Sequence, residues 1–166
     1  MSVSSKKGFT LPELVIYAAL LALLSLAAVR AILAATDSYL SFKVVREMRR
    51  SGVVALERFS RESRLADSVS AASVLGAHPG VLKLNRSDNS VAEFFLVNDV
   101  LYFKDNSGAG ALTASTTRVT NLVFRKAGIS STAVRLELSL EAGQGARLRF
   151  ADFYSTSVIR GDYENR

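Results

Sequence analysis

From Leu14 to Val29 no residue carries a charge, and the apolar stretch containing this run begins at Phe9, so that Glu13 lies inside it. Phe9 to Val29 is 21 residues, roughly 31 Å of helix at 1.5 Å per residue, enough to cross the hydrocarbon core of a bilayer. A secretory signal peptide has a shorter apolar core, about 7 to 15 residues, closed by a small-residue cleavage site. Here the run is longer and resumes after Arg30 as Ala31-Ile32-Leu33-Ala34-Ala35. A transmembrane helix is therefore expected over residues 9–35. A carboxylate in such a segment is costly and needs a reason.

The rest of the chain reads as soluble. Its 166 residues suffice for this segment and one small head with a modest core. With no cysteine the head holds together by packing alone, and disulfides, thiolate metal sites and Cys nucleophiles are excluded. The net charge of +6 is unevenly spread. Residues 43–64 hold seven bases (Lys43, Arg46, Arg49, Arg50, Arg58, Arg61, Arg64) against Glu47, Glu57 and Glu62, whereas residues 65–166 hold 11 bases and 10 acids. A nucleic-acid-binding head would concentrate positive charge on itself. Here the excess sits beside the membrane segment.

Between Thr36 and Asp67 only Gly52 weakens a helix. Apolar or small residues recur at Val45, Met48, Gly52, Ala55, Leu56 and Phe59, spacings near three and four that make one helical stripe. The pattern predicts a single helix from about 9 to about 67, lipid-facing in its first half and amphipathic over 36–67. Ser68 to Gly80, ending in His78-Pro79-Gly80, reads as a linker.

The period then changes to two. Val81–Leu84, Val91–Val97, Val100–Phe103, Val119–Arg125, Val134–Leu140 and Arg147–Tyr154 read as strands, with Asn98-Asp99 as a hairpin turn. Asp105–Gly110 reads as a glycine-rich loop and Gly143-Gln144-Gly145 as a turn. Val134, Leu136, Leu138 and Leu140 alternate with Arg135, Glu137, Ser139 and Glu141, so one sheet face needs a cover. Only the amphipathic helix offers one. The expected fold class is α+β: a long N-terminal helix packed on a C-terminal antiparallel β-sheet head over 68–166.

The junction Lys6-Lys7-Gly8-Phe9-Thr10-Leu11-Pro12-Glu13 resembles the prepilin peptidase site of bacterial type IV pilins and type II secretion pseudopilins. The resemblance implies that residues 1–8 are a leader carrying basic Lys6 and Lys7, cut after Gly8. The new N-terminal Phe9 is then N-methylated, and Glu13, five residues into the mature chain, is an assembly contact with a neighbouring subunit. It implies as partners the prepilin peptidase, other pilin or pseudopilin subunits, an inner-membrane assembly platform and the lipid bilayer. The helix segment Ala55–Arg64 and the ending Phe153–Arg160 are similar to minor pilins and minor pseudopilins, the J type most of all. One departure is Arg30, where major pilins often carry a helix-bending proline; Pro12 lies in the first turn, which tolerates a missing amide hydrogen. By count alone Lys43, Arg46, Arg49 and Arg50 favour the orientation opposite to that set by Lys6 and Lys7. A peptidase site beside the leader instead puts Lys6 to Phe9 in the cytoplasm and the head outside the inner membrane.

The basic helix residues Arg46, Arg49, Arg50, Arg58, Arg61 and Arg64 are candidate DNA or lipid contacts, and the alternative function is a competence-type pilin gripping DNA phosphates through them. It ranks lower because a filament would cover those residues, so DNA is an unlikely partner. A membrane-anchored enzyme has no residue constellation behind it, and no cofactor or metal is expected. His78, the single histidine, reads as a linker residue, and Asp105-Asn106-Ser107-Gly108 reads as turn chemistry rather than a calcium loop. The tripeptide Arg160-Gly161-Asp162 is given no functional weight.

Overall fold

The computed structural model describes residues 8, 10–127 and 133–159. The chain divides into two compact units, Met1–Leu40 and Ser41–Arg166. One helix, α1, runs Leu11–Leu65, within two residues of each predicted end.

In the first unit, α1 is built mostly of Leu, Ala, Val and Ile. Every residue from 11 to 39 is exposed except half-buried Glu13, and α1 is long and apolar enough to cross a membrane. Leu14 N–H donates to the Thr10 carbonyl at 3.1 Å, which starts the helix. Further along, the hydroxyls of Ser25 and Thr36 donate to the carbonyls of Leu21 (2.8 Å) and Ile32 (2.9 Å). These two hydroxyls thus find their partners on their own helix, as suits a lipid environment. This is the transmembrane helix the sequence predicts.

In the second unit, the rest of α1 buries Met48, Ser51, Gly52, Ala55, Phe59, Glu62 and Ser63. Met48, Gly52, Ala55 and Phe59 are the expected stripe; Val45 and Leu56 lie at its margin, half-buried. Among the described residues eight strands follow: β1 Ser68–Val69, β2 Leu82–Asn85, β3 Val91–Val97, β4 Val100–Asp105, β5 Gly108–Ala111, β6 Thr117–Ala127, β7 Ala133–Ala142 and β8 Arg149–Val158. All pairings are antiparallel, and the strands form two sheets, a five-stranded β1-β2-β3-β4-β5 and a three-stranded β6-β7-β8. The α+β class holds, with the single expected sheet resolved into two.

Both sheets and α1 share one core. Phe59 of α1 is fully buried and lies 6.3 Å, ring centre to ring centre, from both Phe94 of β3 and Phe124 of β6; Phe94 is 5.0 Å from Phe103 of β4. Val134, Leu136, Leu138 and Leu140 of β7 are buried, as their alternation requires. At the β3–β4 hairpin Asn98 and Asp99 both take positive φ (50° and 61°), the backbone a tight two-residue turn needs.

Two segments read as linker and loop carry structure. β1 and the isolated Val74–Val81 bridge lie in 68–80, and β5 occupies 108–111. Backbone pairing, not apolar alternation, defines them. The stretch around His78 also joins the sheets: Gly76 N–H donates to the Phe124 carbonyl (2.8 Å), Gly80 N–H to that of Leu122 (2.9 Å), and Leu122 N–H to His78 Nδ1 (3.0 Å). His78 is thus a fixed acceptor rather than a passive linker residue.

Gly52 sits where α1 meets β8. A Cβ there would lie 2.4–2.6 Å from ring atoms of Phe153, so Gly52→Leu should lower stability by about 2 kcal/mol, the usual scale of overpacking. Thermal unfolding checks this, and adding Phe153→Ala should cost less than the two single losses combined, because the clashing ring is gone.

Candidate assembly site

Glu13 lies in the first turn of α1, where the helix dipole favours a negative charge. The Tyr17 hydroxyl, one turn on, donates to Glu13 Oε1 at 3.2 Å. The carboxylate therefore has one partner on its own helix and acceptor capacity left for a cation from elsewhere. Gly8 is exposed and open around its α-carbon, which leaves the peptide bond after it unobstructed on the glycine side. Lys6, Lys7 and Phe9 lie outside the described residues, as does Arg160-Gly161-Asp162.

The six arginines of the basic helix are not alike. Arg46, Arg49, Arg50 and Arg64 are exposed. Arg58 is held: its Nε lies 3.0 Å from Glu62 Oε1, its guanidinium donates to Asp105 Oδ2 at 3.3 Å, and its charge sits 4.0 Å from the centre of the Phe103 ring. Arg61 approaches Glu62 Oε1 at 3.5 Å while staying 60% exposed. A phosphate-gripping set of six is not presented together, because Arg58 is spent on internal partners.

Glu62 is what sequence reasoning missed. Its side chain is 2% exposed, and Arg86, the residue after β2, closes the cluster by donating to Oε2. The signal was present: Glu62 continues the stripe Ala55–Phe59 at a spacing of three and has arginine one turn before it. Asp105 completes the network. Hydrogen bonds from the Ser107 hydroxyl and then the Ser107 amide hold its carboxyl below the ordinary value of 3.8. This is turn chemistry, as expected of the 105–108 segment. Among the described residues no group of three or more His, Cys, Asp or Glu is placed to hold a metal ion.

A groove of about 670 Å³ lies between α1 and the β4–β5 hairpin, walled by Val54, Glu57, Arg61, Phe103 and the backbone of Gly108–Ala111. Arg58 and Asp105, paired at 3.3 Å, are also among its lining residues.

A family model, the prokaryotic N-terminal methylation motif, matches residues 3–29. No curated protein and no solved structure matches the chain. The matched span takes in the basic tip, Gly8, Phe9, Glu13 and the apolar run up to Val29, the same residues that stand out on physical grounds.

Proposed function

We propose that this chain, type IV pilin-like by its N-terminal methylation motif, is a minor pilin or minor pseudopilin, a structural subunit that joins a filament through its N-terminal helix. The observation that carries the reading is the fusion of the motif to an apolar helix whose residues 11–39, Glu13 apart, are exposed, with Glu13 as its one acid before Asp37. Cleavage after Gly8 frees an amine at Phe9, which is N-methylated. That cation is expensive in hydrocarbon unless paired. The Glu13 carboxylate of a neighbouring subunit pairs it, and the helices then bury their apolar surfaces against one another.

In this reading the precursor sits in the inner membrane with its basic tip in the cytoplasm and the Ser41–Arg166 unit outside. Its partners are the prepilin peptidase, the assembly platform and other subunits, and the J type of minor pseudopilin is the subtype its helix and C-terminal segments fit best. The competence reading loses ground to the engagement of Arg58 and Arg61 by Glu62.

Gly8 tests the first step. Produced together with a prepilin peptidase, the wild-type chain should shorten by its eight-residue leader, and Gly8→Glu should stay at precursor length on a gel. Equal shortening of both would remove the reading.

A further inference from the structure

Viewed down α1 within the second unit, at 3.6 residues per turn, Phe42, Lys43, Arg46, Arg49, Arg50 and Val53 fall inside an arc of roughly 120°. The packed residues Met48, Ser51, Gly52, Ala55 and Phe59 lie on the opposite side. All six residues of the arc are exposed, Phe42 by 75%, and between 42 and 53 the arc holds no Asp or Glu. These four cations beside an exposed aromatic ring outnumber the nearby acids, Glu47 beside the arc and Glu57 on the same face one turn past Val53, and this excess of positive charge suits an anionic partner. They also run against the positive-inside rule if the head is outside, so they carry a topological cost that something must offset.

We infer that this stripe docks on the headgroups of anionic phospholipids at the outer surface of the membrane that holds the helix, while the subunit waits there unassembled. The inference rests on the membrane-anchored reading above and adds a lipid contact to it. Distance supports it. Residues 9–35 are 27 residues, roughly 40 Å of helix against about 30 Å of hydrocarbon, so the excess emerges or tilts. Lys43 comes eight residues after Ala35, about 12 Å further along the helix, within reach of the headgroup layer and its potential. Phe42 has the character of an interfacial anchor, an aromatic ring beside long basic side chains. Each base near an anionic surface raises surface occupancy roughly fivefold, which makes four a strong but salt-sensitive contact.

The full chain, which has no cysteine, takes a single fluorescent label through Val53→Cys on the same face. Reconstituted in vesicles with a headgroup-bound quencher, the label should be quenched at least several-fold more strongly when one third of the lipid is phosphatidylglycerol than when all is phosphatidylcholine. The excess should vanish in 1 M salt and in the variant K43Q/R46Q/R49Q/R50Q. These side chains are exposed, so the variant should keep the wild-type unfolding temperature. Equal quenching in the two lipids overturns the inference. So does quenching that tracks the protein-to-lipid ratio, which assigns the stripe to a second copy, or label protection by duplex DNA at a salt where anionic lipid has no effect. Loss of leader cleavage or filament incorporation leaves this measurement unchanged, so the two readings fail separately.

Discussion

Glu13→Ala should leave the chain inserted in the membrane and processed, yet remove it from filaments. Insertion depends on the apolar run, and removing a charge from it only lowers the cost of entering lipid. In the proposed reading, assembly depends on what the Phe9 amine meets. Without a carboxylate on the neighbour, the mature N-terminal cation is buried unpaired, a penalty of about 3 kcal/mol, or roughly a hundredfold in subunit association. Glu13→Gln sharpens the test. Its amide oxygen still accepts the Tyr17 hydroxyl bond that Glu13 Oε1 makes at 3.2 Å, but it carries no charge. If charge neutralisation is the role, the amide should fail almost as badly as alanine, whereas Glu13→Asp should retain part of the activity. Comparing the variant's abundance in membrane and sheared-filament fractions reads the effect. Normal incorporation of Glu13→Ala would end the proposed role.

The second large effect is on stability. Glu62→Gln should lower the stability of the Ser41–Arg166 unit by about 3 kcal/mol, because breaking a buried ion pair strands the partner charge. Glu62 is almost completely buried, and both of its oxygens are occupied by Arg58, Arg61 and Arg86. Arg61 can turn to water, but Arg58 and Arg86 are mostly covered. Their charges would then face each other with only Asp105 to offset them. For a domain of this size the loss corresponds to roughly 10 °C in unfolding temperature, measurable by circular dichroism on the full chain in detergent. Replacing the cluster as a whole, Glu62→Leu with Arg58→Leu and Arg86→Met, should recover much of the loss. Buried ion clusters often break even with apolar packing.

Glu62 also shows where sequence reasoning stops. The stripe Met48–Gly52–Ala55–Phe59 and the alternation of β7 were legible because burial leaves a period in the residue types. The Asn98-Asp99 turn was legible because few residues tolerate two successive positive φ values. β1 and β5 were not legible. Ser68-Val69 and Gly-Ala-Gly-Ala have no apolar alternation, and they are strands only because β2 and β4 offer their free edges. The division into two sheets was hidden for a related reason. The link between them is made by the hydrogen bonds that Gly76, His78 and Gly80 share with β6, inside a stretch whose composition says linker. Glu62 looked like one more solvated charge among arginines, and only the register of β2 against α1 brings Arg86 to it. β8 runs on to Val158 past the predicted Tyr154, because β7 pairs with it along its whole length. At the N-terminus the motif over residues 3–29 and the apolar helix were legible in the residues themselves, because a motif is local chain and the apolar run is plain hydrophobicity.

The most direct measurement is the N-terminus of this chain as found in sheared, purified filaments. Mass spectrometry should find a mature form that begins at N-methylated Phe9 and lacks residues 1–8, present at low abundance beside a major subunit. A chain recovered only from the membrane fraction, with Met1 to Gly8 still attached, would contradict the account.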